Sequence, residues 1–226
     1  MGRVILGKDS KYTTSKYKSL VSEPFKKAAI KPLREGELAS EYNAWIADYS
    51  KEKLAVTDRL ISPYHASETH GSDIYKEYRK LLKILKPKSI LDLGCGAGEL
   101  LNISKEVLPE ADLFGVTIHY GEVLEAREKY NLEIAPADMR DIDAYFNKDS
   151  LDLVVAHASF QYIVEGDRLK VVKKVQQILK KGGHFLMVDY KGQKEASGLN
   201  SEVEGLIKIG NISGFMGEAT LYEKVY

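Results

Sequence analysis

The sequence has 226 residues, and its 33 basic and 33 acidic side chains give a formal net charge of zero. Hydrophobic residues make up 44% of the chain, which is enough for a buried core and excludes a largely disordered polypeptide. The balanced charge supplies no long-range field for a polyanion, so nucleic acid is not an expected partner. We expect one globular domain with an attached N-terminal segment.

The first part of the chain lacks the periodicity of a packed domain. Residues 1–35 are rich in Lys, Ser, Thr and Tyr, and we expect a loosely ordered arm there. The apolar run from Val4 to Leu6 is too short for a signal sequence or a membrane span. Cys95 is the single cysteine and has no partner for a disulfide within the chain. These features predict a cytoplasmic protein without membrane association.

Residues 36–87 carry apolar side chains at roughly helical spacing. We expect one or two amphipathic helices between Glu37 and Leu60, followed by a loop. Asp73 is expected to cap a further helix that runs up to Pro87. The segment as a whole is therefore predicted to be helical.

After Pro87, short apolar runs alternate with helical stretches. Strands are expected at Ser89–Leu93, Asp112–Val116, Leu132–Ala135, Leu151–Ala156 and His184–Asp189, with helices at Glu99–Val107, Gly121–Tyr130 and Asp167–Leu179. This alternation predicts an α/β fold with a doubly wound, mostly parallel sheet, because each crossover must return along the sheet. Near the C-terminus, we expect a helix around Ser201 to Ile212 and a strand around Ala219 to Tyr226.

The most informative stretch joins the first predicted strand to the helix after it. Asp92 stands near the end of the strand, and Gly94, Gly96 and Gly98 follow at alternate positions. Gly94 and Gly96 allow the backbone to turn sharply and approach a ligand, while Gly98 permits close packing of the helix. A tight connection alone would explain the glycines but not Asp92, because a buried acid needs turn amides or a cationic ligand group as its partner.

The spacing of these glycines also discriminates between ligands. A dinucleotide fingerprint reads G-x-G-x-x-G, and its last glycine would fall at Glu99. The Gly-Lys-Ser/Thr ending of a phosphate loop is absent from this stretch. Glu99 at the helix N-terminus would also repel a pyrophosphate. A ligand without phosphates is therefore favoured over a nicotinamide dinucleotide.

The stretch Asp-Leu-Gly-Cys-Gly-Ala-Gly from Asp92 to Gly98 resembles the first motif of the class I S-adenosylmethionine-dependent methyltransferases. The resemblance covers roughly Ser89 to Asp189. It implies a Rossmann-like fold, S-adenosyl-L-methionine as cofactor and S-adenosyl-L-homocysteine as product. In that family the motif cradles the amino-acid end of the cofactor. The residues implied to contact it are Asp92, Gly94, Cys95, Gly96 and Gly98.

The end of the second predicted strand departs from most members of that family, which have an acid there that binds both ribose hydroxyls. This chain has Thr117 instead. The run from Gly115 to Glu122 is similar to a stretch of cyclopropane-fatty-acid synthases and sterol methyltransferases, where Thr and Gln contact the ribose. The similarity implies Thr117 and Glu122 as the ribose pair. Without it, Thr117 is an ordinary strand-end residue and Glu122 an ordinary acid in the first turn of a helix.

Asp138 and Met139 follow the third predicted strand and look like the adenine clamp of the family. The resemblance implies that Asp138 accepts a hydrogen bond from the exocyclic amino group. It also implies that Met139 donates its backbone amide and packs its side chain on the ring. A solvated acidic turn is the alternative, since Asp141 and Asp143 lie close by in the sequence.

The stretch that begins at Asp152 resembles the fourth motif of small-molecule members, and it places His157 at a strand end. The resemblance implies that His157 lies beside the reacting methyl group, as a cofactor contact and as the base where the acceptor must lose a proton. A hydrogen-bonded residue that only lines the site is the alternative. Residues 36–87 correspond to a region that commonly covers the cofactor in this family. The residues expected to contact the substrate are Tyr64, His65, His70 and Tyr162.

These patterns predict an S-adenosylmethionine-dependent methyltransferase that moves a methyl group to a small molecule by in-line displacement. Residues 88–226 would form the catalytic domain and residues 36–87 a lid, with no metal site indicated by the spacing of ligands. Neither D/N-P-P-[YF] nor Pro-Cys occurs in the fourth motif. A protein or RNA methyltransferase with the lysine-rich arm as docking element is one alternative. A nucleotide-binding oxidoreductase, or a non-catalytic binding protein of the same fold, is another.

Overall fold

The computed structural model describes residues 71–163, 165–190, 203–212 and 217–226. The helices are α1 (Gly71–Leu85), α2 (Glu99–Val107), α3 (Tyr120–Tyr130), α4 (Ile142–Tyr145) and α5 (Glu165–Ile178). The strands are β1 (Ser89–Leu93), β2 (Asp112–Thr117), β3 (Ala135–Pro136), β4 (Leu151–His157), β5 (Leu179–Tyr190), β6 (Leu206–Ile212) and β7 (Gly217–Lys224). The predicted arm, the helices between Glu37 and Leu60, and the candidates Tyr64, His65 and His70 lie outside the described residues.

The strands form one seven-stranded sheet in the order β3-β2-β1-β4-β5-β7-β6. The first five strands in this order pair in parallel, while β7 pairs antiparallel with both β5 and β6. The parallel pairs need crossover connections, which the helices between the strands supply. The predicted α/β fold with a doubly wound, mostly parallel sheet is confirmed.

The hydrophobic core lies on both faces of this sheet. Neighbouring strand residues point to opposite faces, so Ile90 packs in the same cluster as the buried residues of α1 and α2. Leu91 faces the other way and packs with Phe114 and the buried residues of α5. All five residues of β1 are buried. Coverage of both faces explains why the parallel strands have nearly continuous apolar sequences.

Helix α1 packs on the sheet through residues at helical spacing, of which Ile74, Tyr78 and Leu82 are buried. The Ser104 hydroxyl in α2 donates to the Leu100 carbonyl at 2.8 Å. The Tyr78 hydroxyl therefore donates to the Ser104 oxygen, which lies 3.0 Å away. This hydrogen bond joins α1 to α2 inside the core. No helix in the described part of the chain is both long and apolar enough to span a bilayer.

The predicted C-terminal helix is wrong, because Leu206–Ile212 is strand β6. Strand β7 already pairs with β5 and offers its second edge, along which Ile207 pairs with Glu223. The isoleucines of this segment favour an extended backbone, and the glycine within it disfavours a helix. Long-range pairing thus overrides the weak helical spacing. The predicted final strand is confirmed as β7, shifted toward the N-terminus.

Smaller differences concern the boundaries of elements. Helix α1 already includes Gly71, so Asp73 lies within it rather than before it as a cap. The third strand is only Ala135–Pro136 and begins where the predicted strand ends. Strand β5 begins at Leu179, because its first residue pairs with Leu151 ahead of a register shift.

Candidate functional site

The glycine turn after β1 is a series of left-handed backbone positions. Gly94, Gly96 and Gly98 have φ angles of +70°, +55° and +93°. The backbone N–H groups of Gly94 and Cys95 donate to the carbonyl of Val116 at 2.9 and 3.0 Å. These bonds fix the turn against β2. Glycine is the residue that adopts such angles without steric cost, which explains the spacing found in the sequence.

The three glycines face different surroundings. A Cβ at Gly94 would lie 2.5 Å from the Cβ of Ser159, and a Cβ at Gly98 would lie 2.9 Å from the Leu132 side chain. At Gly96, the nearest atom to such a Cβ is a carboxylate oxygen of Glu99, 3.9 Å away. Gly94 and Gly98 therefore serve close packing. Gly96 borders open space where a ligand can approach the backbone.

Asp92 is buried in β1, with only 2% of its surface exposed. Its Oδ1 atom is buried and has no hydrogen-bond partner among the described residues. Burial, together with the smaller effect of the nearby Glu99 carboxylate, raises the pKa of Asp92 to about 8. A cationic ligand group beside Oδ1 would satisfy this oxygen and stabilise the ionised form.

Cys95 lies within the turn and is buried. Its Sγ atom donates to the Gly96 carbonyl at 3.6 Å. Burial raises the pKa of the Cys95 thiol well above its ordinary value, and Asp92 and Glu122 raise it further. Since the thiolate is the reactive form, this cysteine is not an activated nucleophile.

The structure brings Thr117 and Glu122 together, as the ribose prediction requires. Thr117 is the last residue of β2, and its hydroxyl donates to the Glu122 carboxylate in the first turn of α3. The same hydroxyl accepts the backbone N–H of His119 at 3.1 Å. Burial raises the pKa of Glu122, whereas the hydrogen bond from Thr117 lowers it. A polar pair suited to hydroxyl groups therefore lies at the end of β2.

Asp138 and Met139 occupy the connection after β3. Asp138 is 6% exposed, so the solvated acidic turn does not describe this residue. Its carboxylate accepts the backbone N–H of Arg140 at 2.8 Å and the guanidinium of the same residue, also at 2.8 Å. The methyl carbon of Met139 lies 3.1 Å from the position of a Cβ at Gly94, which places it at the glycine turn.

The end of β4 contributes His157 to the same edge of the sheet. Burial lowers the pKa of His157 to about 4, so the imidazole is neutral at physiological pH. Tyr162 is partly exposed and lies in the single 3₁₀ turn Phe160–Tyr162 that follows. The structure thus places His157 at the sheet edge and Tyr162 in the connection after β4.

Sequence reasoning missed two residues in this connection. Ala158 has a φ of +52°, which is unusual for a residue with a side chain. The Ser159 hydroxyl donates to the Leu93 carbonyl at 2.6 Å and ties the end of β4 to the end of β1. The available signal was Gly94, since a glycine can mark a place where another segment of the chain approaches the backbone closely.

The strand order places the glycine turn where the sheet changes direction. From β1 the chain continues to β2 and β3 on one side, then returns to β4 on the other side of β1. Ligands of open α/β sheets bind at such a point, beyond the carboxyl ends of the strands. Asp92, Thr117 and His157 stand at or near the carboxyl ends of β1, β2 and β4. This sheet, with its candidate site beyond the strand ends, belongs to the Rossmann-like class of fold.

Comparison with known proteins agrees with this class. Residues 90–183 match the family described as a methyltransferase domain. The chain is 25% identical over 122 residues to the demethylmenaquinone methyltransferase of Listeria monocytogenes, covering 50% of this chain and 49% of the relative. It is 32% identical over 138 residues to the malonyl-[acyl-carrier protein] O-methyltransferase of Acetivibrio thermocellus, covering 57% and 48%. The chain spans about half the length of these curated relatives.

A solved structure extends the likeness in fold. The plantazolicin methyltransferase BpumL in complex with SAH superposes with a TM-score of 0.56, covering 84% of this chain and all of that one. At 15% identity, this likeness concerns the fold alone. The family match over residues 90–183 agrees with the methyltransferase resemblance seen in the sequence, and the sheet order confirms the predicted Rossmann-like fold.

Proposed function

We propose that this chain is an S-adenosylmethionine-dependent methyltransferase that acts on a small molecule. The observation that carries the proposal is Asp92, a buried carboxyl with an oxygen that has no hydrogen-bond partner in the described residues. It precedes a glycine turn whose middle residue, Gly96, borders open space. A cationic amino-acid group without phosphates fits both features, and S-adenosylmethionine carries such a group.

The cofactor would lie along the carboxyl ends of β1, β2 and β3. Asp92 and Gly96 would hold its amino-acid end, while Thr117 and Glu122 would bind the ribose through their joined hydroxyl and carboxylate. Met139 would pack on the adenine. When bound, S-adenosylmethionine supplies a methyl group on a sulfonium, from which the neutral thioether leaves readily.

The remaining task of the protein is to align the acceptor with the methyl carbon. Fixing two reactants in line can contribute about 7–11 kcal/mol to lowering the barrier. His157 would orient the acceptor by a hydrogen bond, since a base with a pKa of about 4 removes a proton poorly at neutral pH. Tyr162, and beyond the described residues Tyr64, His65 and His70, remain proposed substrate contacts.

A small acceptor is supported by two independent features. The curated relatives are named for methylation of demethylmenaquinone and of a malonyl group on a carrier protein. The formal net charge of zero does not favour a nucleic-acid acceptor. A protein or RNA acceptor is the alternative, and methyl-transfer assays with metabolite pools, tRNA and protein extracts would distinguish the two.

Calorimetric titration of the full chain tests cofactor binding. We expect binding of S-adenosylmethionine and S-adenosylhomocysteine but not of NADH. Asp92→Asn should raise the dissociation constants of S-adenosylmethionine and S-adenosylhomocysteine about tenfold or more, because a charge-assisted contact is lost. It should leave 5′-methylthioadenosine, which lacks the amino-acid end, almost unaffected. Asp149→Asn is a matched control, because Asp149 pairs with Lys224 and its side chain is 65% exposed. Binding of NADH alone, or equal losses for all three adenosine compounds, would contradict the proposal.

A further inference from the structure

The connection after β3 contains an ion pair that the proposed cofactor contacts do not explain. Both oxygens of the Asp138 carboxylate accept from Arg140: Oδ1 from the backbone N–H at 2.8 Å, Oδ2 from Nη2 at 2.8 Å, and both share Nε, at 3.2 and 3.0 Å. The two side chains are 7% and 11% exposed. A planar guanidinium that grips a buried carboxylate at two points fixes its orientation as well as its charge.

Arg140 is itself held by α5. Its Nη1 atom lies 3.7 Å from the Asp167 carboxylate. Lys174 donates to the Arg140 carbonyl at 2.5 Å and pairs with Asp143 at 2.6 Å. The orientation of the Asp138 carboxylate is therefore tied to a helix of the core rather than to the connection alone.

The Asp138 carboxylate keeps acceptor capacity for a ligand. Three N–H groups of Arg140 donate to it, of which the Nε–H is shared between the two oxygens, and an ionised carboxylate offers about four acceptor positions. One further N–H donor can therefore be accommodated. Burial raises the pKa of Asp138 to about 6, while the backbone N–H of Arg140 lowers it. The carboxylate is therefore mostly ionised and acceptor-only at neutral pH, so a ligand with an oxygen at the same place would be repelled.

We propose that Arg140 is a positioning residue that sets purine specificity, by holding Asp138 so that its carboxylate accepts the exocyclic amino group of adenine and rejects a 6-oxo purine. The inference rests on the proposed function. Arg140 acts through Asp138 and does not itself contact the ligand. If Arg140 had a purely structural role, its substitution would weaken the binding of all nucleoside ligands to the same extent. The two roles can therefore be distinguished.

The test compares S-adenosylhomocysteine with S-inosylhomocysteine, which differs by an oxygen in place of the amino group. Dissociation constants are measured by calorimetry on the full chain. The unmodified protein should prefer the amino compound by about tenfold or more, as sites built around a hydrogen bond do. Arg140→Ala should reduce this preference to about threefold or less, because the freed carboxylate can turn away from the purine.

Arg140→Lys keeps the charge but not the fork, and we expect it to restore part of the preference. If circular dichroism shows that the alanine variant does not fold, the lysine variant provides the test instead. Arg79→Ala is the matched control, since Arg79 pairs with Glu106 on the surface and should not change the ratio. An unchanged ratio in both Arg140 variants, or no preference in the unmodified protein, overturns the inference. Failure to bind either compound would instead overturn the proposed function.

Discussion

Gly94, Gly96 and Gly98 share a left-handed backbone but differ in what surrounds them. Neighbouring side chains fill the space that a side chain at Gly94 or Gly98 would need. Gly96 instead borders the space proposed for the cofactor. The same residue type therefore serves packing at two positions and ligand approach at one. Asp92 adds a buried carboxyl whose unpartnered oxygen a cationic group would satisfy, and such a group would stabilise its ionised form.

Substitutions of two of these glycines should have opposite consequences. Gly96→Asp should leave the fold intact, since aspartate tolerates a left-handed backbone and the space is open. It should raise the dissociation constant of S-adenosylmethionine at least about a hundredfold. The new side chain would occupy the ligand space, and its charge would repel the carboxylate of the cofactor. Gly94→Ala should instead destabilise the protein by about 2 kcal/mol or more through overpacking against Ser159. Thermal unfolding and calorimetry distinguish these outcomes, and normal affinity in Gly96→Asp would contradict the assignment of the turn.

At the scale of elements, predictability follows from how local the determining interactions are. Strand β1, the glycine turn and α2 were predicted at nearly their observed bounds, because apolar runs and glycine angles are local signals. The segment that forms β6 was predicted as a helix, since its pairing partner β7 lies later in the chain and is itself fixed by β5. Helix α1 was predicted from its apolar spacing, but its attachment to α2 was not.

The attachment of α1 can be measured through one hydroxyl. Tyr78→Phe removes the buried hydrogen bond to Ser104 and should lower the free energy of unfolding by about 1 kcal/mol. Tyr226→Phe is the matched control, because Tyr226 is 62% exposed, and it should change stability by less than about 0.5 kcal/mol. Urea denaturation followed by circular dichroism provides both values. Equal stability of the two variants would show that the hydrogen bond does not join the helices.

At the scale of the whole molecule, the sheet order brings distant residues to one edge. Asp92, Thr117, Asp138 and His157 belong to four different connections or strand ends, and parallel pairing aligns the carboxyl ends of those strands. The core on both faces holds this edge in place. Cys95 lies between the glycine turn and β2, where it is reached only when this arrangement opens.

Alkylation of Cys95 should therefore report opening of the domain. Burial keeps the thiol protonated and inaccessible, so iodoacetamide should react slowly in the folded protein. The rate should rise with urea in parallel with the unfolded fraction, and saturating S-adenosylhomocysteine should slow it further, because a ligand that binds only the folded state stabilises it. Mass spectrometry follows the modification. Rapid alkylation in the absence of urea would show that the turn is open in the native state.

The sequence by itself determined the α/β class, the glycine turn and the residue types at the strand ends, because each of these depends on neighbours along the chain. The contact between Thr117 and Glu122 was also predictable, since a strand end and the first turn of the next helix are adjacent. Only the tertiary structure decided that Gly94 makes room for Ser159, that Arg140 holds Asp138 against α5, and that β6 is a strand. These features depend on segments that are far apart in the chain and meet only through packing and strand pairing, which leave no periodic signal in the sequence.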